Sequence, residues 1–172
     1  MTELRTPRLL LRRARADDLA ALHALFSDER AMTYWSFPPH TQIGQTREWL
    51  DSMLNSSLEE SDDFVITRDG ETIGKMGAYR LPDFGYILSP RHWGLGLASE
   101  AMTAFLAHAF ARPDITRLTV DIDPRNEASI RLVERHGFVE TGRASGTWTT
   151  HIGVCDSVYL TLEKADYLAR RG

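Results

Sequence analysis

Residues 84–110 read FGYILSPRHWGLGLASEAMTAFLAHAF, a short apolar strand running through a Gly-x-Gly loop into a long helix. No other stretch restricts the fold as much. Glycine at 94 and 96 points to a backbone that something must approach closely, because neither residue carries a Cβ. From Leu97 to Phe110, apolar residues at 97, 98, 101, 102, 105, 106, 109 and 110 repeat with helical spacing, and Pro113 lies just past the end. A second strand, RLTVDI, follows at 117–122. The segment 84–122 is therefore a β-α-β unit, whose strands are predicted to be parallel and joined by a right-handed crossover. A strand ending in a glycine loop that starts a helix is also an anion site. Unpaired N–H groups and the helix dipole converge there, and phosphate or pyrophosphate is the natural guest.

The rest of the chain supplies the surroundings. RLLLRR (8–13) reads as a first strand, and Asp17 and Asp18 open a helix with its apolar stripe at Leu19, Leu22, Leu25 and Phe26. YWSFPPHT (34–41) breaks the pattern with two prolines before a second helix carrying Trp49, Leu50, Met53 and Leu54. FVIT and TIGKMGAYR flank RDGE, in which Asp69-Gly70 is a hairpin turn. Asn126 reads as the N-cap, and Gly137 as the C′ residue, of a helix over NEASIRLVERHG. GFVETGRAS and GVCDSVYLTL close the chain as two strands, giving the order β-α-α-β-β-β-α-β-α-β-β.

Composition limits the function classes. A chain of 172 residues without repeats or linkers reads as one domain, 1–172. A net charge of −4 gives no global bias toward nucleic acid or membrane, and no apolar run approaches the ~20 residues of a membrane span. The N-terminus shows no leader-like apolar region, so a cytoplasmic protein is expected. The lone Cys155 reads as a buried thiol in a strand, and the six histidines show no ligand spacing, so no metal is expected. His92 and His136 read as structural. No Lys follows Gly96, which excludes a P-loop. Ser99 in place of a third glycine, after several antiparallel strands, speaks against a dinucleotide fold. On Gly-x-Gly alone, a tight turn without a ligand stays open.

More of the chain enters through a resemblance. RHWGLGLASEA resembles the R/Q-x-x-G-x-G/A acyl-CoA loop of the GNAT superfamily of N-acetyltransferases. The fuller P-x-x-W-G-x-G-x-A-x-E-A looks most like its branch of ribosomal-protein N-terminal (RimJ/RimL-like) acetyltransferases. DPRNEASIRLVERHGF (123–138) resembles the family's P-x-N-x-x-S-x-x-L helix with its closing G-F, and LRTPRLLLRRARADD and CDSVYLTL resemble the branch's ends. The fold this implies is an α/β three-layer sandwich. Its central sheet, mixed but mostly antiparallel, has about seven strands, a parallel pair splayed apart, and helices on both faces.

The resemblance also implies a site for acetyl-CoA as acetyl donor. Backbone N–H groups around Gly94, Leu95, Gly96, Leu97 and Ala98 would hold the pyrophosphate, with Trp93 and Ser99 in the same loop. Arg91 falls on the R/Q position and reads equally well as a surface arginine. Tyr86, Ile87 and Leu88 would pair with pantetheine as an added strand. Asn126 would both cap its helix and bond pantetheine, with Ser129 one turn on. The family's usual tyrosine acid aligns with Val133, which leaves Ser129 as the substitute proton donor. Asp83 and Asp121 are the candidate bases. Trp35 and Phe37, with Tyr86, would wall the acceptor pocket or pack into the core, and Trp148 offers another wall. The implied activity is transfer of an acetyl group to a primary amine: a protein N-terminus, an amino acid or a small amine. The partners are that acceptor and at most a second copy of the chain, with no nucleic acid or membrane. An acyl-CoA-binding regulatory protein of weak activity is the alternative, because of Val133.

Overall fold

The computed structural model describes residues 2–172. Eight strands form one sheet: β1 (Glu3–Arg5), β2 (Leu10–Arg12), β3 (Asp62–Arg68), β4 (Glu71–Arg80), β5 (Asp83–Leu88), β6 (Arg117–Ile122), β7 (Val139–Thr150) and β8 (Gly153–Glu163). Their spatial order is β1-β2-β3-β4-β5-β6-β8-β7. Every neighbouring pair is antiparallel except β5 and β6, the pair expected from the β-α-β unit. The strand beyond the expected seven is β1. It has three residues and no buried side chain, so it carries no alternation to read, and it exists by pairing with β2. The first expected strand, 8–13, is correspondingly shorter. Asp69 and Gly70 form the β3–β4 turn with φ of 51° and 84°, the two positive values that a right-twisted hairpin prefers.

Helices α1 (Leu19–Phe26), α2 (Glu29–Met32) and α3 (Ile43–Asn55) cover one face, while α4 (Leu97–Ala111) and α5 (Glu127–Arg135) cover the other; a last helix, α6 (Lys164–Ala169), follows β8. The alternation of the strands builds both layers. Val65 and Ile87 join Leu22, Phe26, Met32 and Leu50 in one core. Phe64, Ile66, Met76, Phe84 and Leu88 join Met102, Phe105, Leu106 and Val133 in the other. Cys155 is a buried free thiol on β8. Among the described residues no helix is long and apolar enough to cross a membrane.

The functional geometry follows from the parallel pair. Strands β5 and β6 meet at the rung Asp83–Thr119, where the Thr119 N–H also donates to the Pro82 carbonyl at 3.0 Å. Beyond that rung they part. Each is held by its outer neighbour, β5 by β4 along its length and β6 by β8 from Arg117 to Ile122, so the gap does not unravel the sheet.

Candidate functional site

A cavity of about 790 Å³ lies beside the end of β5 that has parted from β6. One wall is the end of β5, Tyr86 to Leu88; another is the glycine loop with Leu97, Ala98 and Ser99 of α4. The start of α5, with Asn126 and Ser129, closes the third side, and Tyr34 and Trp35 arrive from the segment after α2. Gly94 and Gly96 have φ of 72° and 74°, a region that L side chains reach only at a cost, so both glycines are required by conformation. No atom lies within 4 Å of where a Cβ on Gly94 would stand, and no side chain caps α4. The helix therefore opens into the loop with first-turn N–H groups available to an anion, a cradle that suits pyrophosphate. Trp93 anchors the loop by donating its indole N–H to the Leu88 carbonyl at 2.8 Å. Ser99 Oγ and His136 Nε2 are 2.9 Å apart, and burial lowers the His136 pKa, so the ring is neutral near pH 7. His136 thus holds a cavity-lining hydroxyl in place, consistent with its structural reading.

Asn126 caps α5 as its sequence position suggests, its side-chain oxygen accepting from the Ser129 N–H at 3.3 Å. One turn into the helix, Ser129 Oγ is 2.6 Å from the Tyr86 hydroxyl. Burial pushes the Tyr86 phenol up to about 12, against a smaller opposing effect of the Ser129 bond, so it stays protonated at neutral pH. Val133, aligned with the family's acid, is fully buried in the core and lines neither cavity. The tyrosine that meets the α5 serine comes from the strand instead.

A second cavity of about 110 Å³ opens beyond this pair and shares Tyr34, Trp35, Tyr86, Asn126 and Ser129 with the first. Asp121 lines it, its carboxylate accepting the Trp148 indole N–H at 3.0 Å. Asp83 lines neither cavity: it accepts from Arg80 at 2.9 Å and from the Thr119 hydroxyl at 3.0 Å, at the rung where the strands part. Phe37 also lies outside both, edge-on to Phe26 and stacked on His40, whereas Trp35 lines both. Arg91 and Leu95 are exposed and do not line the cavities.

The two cavities differ in charge. The larger is lined by Arg30, Arg125, Arg135 and one acid, Glu127, with Arg30 paired to Asp28 at 3.0 Å and Arg135 without a carboxylate partner among the described residues; the smaller has Asp121 and Asp123 and no lysine or arginine. Asp123 is neutralised by Arg125 at 2.6 Å, which also holds its pKa below the usual carboxylate range. Asp121 has no such partner among the described residues. One side suits a polyanion and the other an ammonium group. Sequence reasoning missed Tyr34 and the three arginines; Arg125 sits inside the quoted DPRN stretch, but nothing local marked it as facing the cavity.

Comparison with known proteins gives the family and the fold. The acetyltransferase (GNAT) domain family matches residues 8–139. An uncharacterized N-acetyltransferase, p20, from Bacillus licheniformis is 29% identical over 151 residues, covering 83% of this chain and 85% of that protein. The fold superposes on the RimL ribosomal L7/L12 alpha-N-protein acetyltransferase in complex with coenzyme A, with a TM-score of 0.86, 21% identity, and 94% and 98% of the two chains covered. It also superposes on the spermidine N-acetyltransferase of Vibrio cholerae in complex with CoA and spermine, with a TM-score of 0.83, 21% identity, and 95% and 99% covered.

Proposed function

The chain belongs to the GNAT acetyltransferase family, and from that premise we propose that it transfers the acetyl group of acetyl-CoA to a primary amine by direct attack inside the β5–β6 splay. The observation that carries this reading is the charge division across one continuous opening. An arginine-lined cavity with a glycine cradle, in which Arg135 has no carboxylate partner among the described residues, meets at Tyr86, Asn126 and Ser129 a smaller one that holds the unpaired Asp121. Bound acetyl-CoA supplies the activated acetyl group, and this chain's residues position it and move protons.

The N–H groups from Gly94 to Ala98 hold the pyrophosphate, and the arginines of the larger cavity compensate its charge. The inner edge of β5, which lacks a strand partner beyond Asp83, pairs with pantetheine amides, and the Asn126 amide nitrogen adds a bond. Asp121 receives the proton of the entering ammonium, through water, and passes it to solvent. Ser129 gives its hydroxyl proton to the departing sulfur, Tyr86, kept protonated by burial, restores it, and the second proton that the nitrogen loses as the amide forms returns to Tyr86 through water. This pair supplies the proton path that Val133 cannot, which supports turnover over a purely regulatory acyl-CoA-binding role. Asp83 serves as the staple at the vertex of the splay.

RimL acts on a ribosomal protein and the Vibrio cholerae relative on spermidine; for this chain the acceptor class is a primary amine, in a peptide or a small molecule. A panel of N-terminal peptides, amino acids and amines with acetyl-CoA, read by release of free thiol, tests the reading. Thiol release that depends on one acceptor class is expected; binding of coenzyme A with no acceptor-dependent release would favour the regulatory alternative.

A further inference from the structure

The turn between β1 and β2 is tied to the glycine loop by a cluster outside both cavities. Glu100, in the first turn of α4, accepts from the Thr6 hydroxyl at 2.5 Å, from the Arg8 backbone N–H at 2.9 Å and from Arg8 Nε at 2.7 Å. The same guanidinium reaches across to the loop, where Nη1 donates to the Leu95 carbonyl at 2.8 Å. Its other terminal nitrogen lies 3.6 Å from where a Cβ on Gly96 would stand. One side chain thus touches the loop and the helix behind it without lining the cavity.

Two physical consequences follow. In a trans peptide the C=O and N–H point in opposite directions, so holding the Leu95 carbonyl against Arg8 turns the Gly96 N–H away from Arg8. That fixes the peptide plane that leads into Gly96, whose φ of 74° lies in the left-handed region. In addition, a carboxylate in the first turn of α4 competes with any anion for the helix dipole. Glu100 stays ionised because its hydrogen bonds outweigh the effect of burial, and the Arg8 charge compensates it in place.

We propose that Arg8 is a positioning residue of the coenzyme site, its fork holding the Leu95–Gly96 peptide in the orientation that receives pyrophosphate while neutralising Glu100. This rests on the reading of the loop as the coenzyme A cradle. A lysine carries the same charge but has no fork to bridge Leu95 and Glu100.

The test is calorimetric titration of coenzyme A into the ligand-free wild-type chain and the Arg8→Gln, Arg8→Lys and Glu100→Gln variants, with circular dichroism as the folding control. Both Arg8 variants are expected to bind about tenfold more weakly or worse. Their kcat at saturating acetyl-CoA and their KM for the amine should stay within about twofold of wild type, since Arg8 touches neither catalytic group. Glu100→Gln leaves the Arg8–Leu95 bond and should keep coenzyme affinity within about threefold. A folded Arg8→Gln that binds like wild type overturns the inference, as does an Arg8→Lys that does so, because charge alone would then suffice. An equal loss in Glu100→Gln overturns it too, by assigning the effect to docking of the β1–β2 turn. If the wild-type chain itself fails to bind coenzyme A, the reading of the loop falls and this inference with it; if wild type and Arg8 variants bind alike, only the inference falls.

Discussion

Replacing Gly96 by valine separates the two roles of the glycine loop, making a turn and holding an anion. Gly96 has φ of 74°, where an L residue costs roughly 1–2 kcal/mol, and a β-branched one sits at the upper end. The Cβ itself meets only Arg8 Nη2, at the ordinary contact distance of 3.6 Å. The added γ-carbons then press on Arg8 or project toward the loop opening, and loss of the Arg8–Leu95 bond costs about 1 kcal/mol more. The sum, roughly 2–3 kcal/mol, corresponds to a Tm about 4–12 °C lower for a domain of this size, so the chain should still fold. Binding suffers more. Displacing two N–H groups from a charged pyrophosphate forfeits about 1.5–3 kcal/mol each, a loss of at least ~100-fold in coenzyme A affinity. Calorimetry alongside thermal melting reads both quantities, and Gly96→Ala, without γ-carbons, gives a milder companion. A folded Gly96→Val that binds coenzyme A within about threefold of wild type would refute the argument and leave the glycines to serve only the turn.

Ser129→Ala should lower kcat by about 10²-fold with coenzyme A affinity nearly unchanged, and Tyr86→Phe should lower it less, because Ser129 keeps its own proton; stopped thiol-release assays read both. Asp121→Asn should reduce turnover and flatten the limb that rises from acid to neutral pH, whereas Asp83→Asn should mainly lower stability, by about 1 kcal/mol, through the weakened staple to Thr119 and Arg80. Asp62 is fully buried, and although burial alone would raise its pKa, bonds from His108 and Arg13 bring it down to about 2. Its folded value lies below the unfolded 3.8, so the stabilisation is complete above the unfolded value and is lost as pH falls through about 2; acid titration of unfolding should show about 2.5 kcal/mol from this group, absent in Asp62→Asn.

What the sequence by itself determined lies within a few residues of each signal. The apolar spacing from Leu97 to Phe110 appears as α4, the RLTVDI strand has the bounds read from it, and Asn126 makes the cap bond to Ser129 three positions on. Asp69-Gly70 forms its hairpin, and Gly94 and Gly96 lie in the loop that starts α4. These depend on local backbone preference and periodicity, which any tertiary context preserves. The short β1 left no such trace, because its three residues acquire strand geometry only from β2. The site's working contacts were decided by the sheet. Tyr86 and Ser129 are 43 positions apart, Asp121 and Trp148 are 27 apart, and Arg8 and Leu95 are 87 apart. Two aspartates that read alike in sequence received different surroundings, Asp83 at the rung where β5 and β6 meet and Asp121 past the point where they part. No periodicity encodes that difference, because it arises from where two strands, each bound to an outer neighbour, stop being close enough to pair.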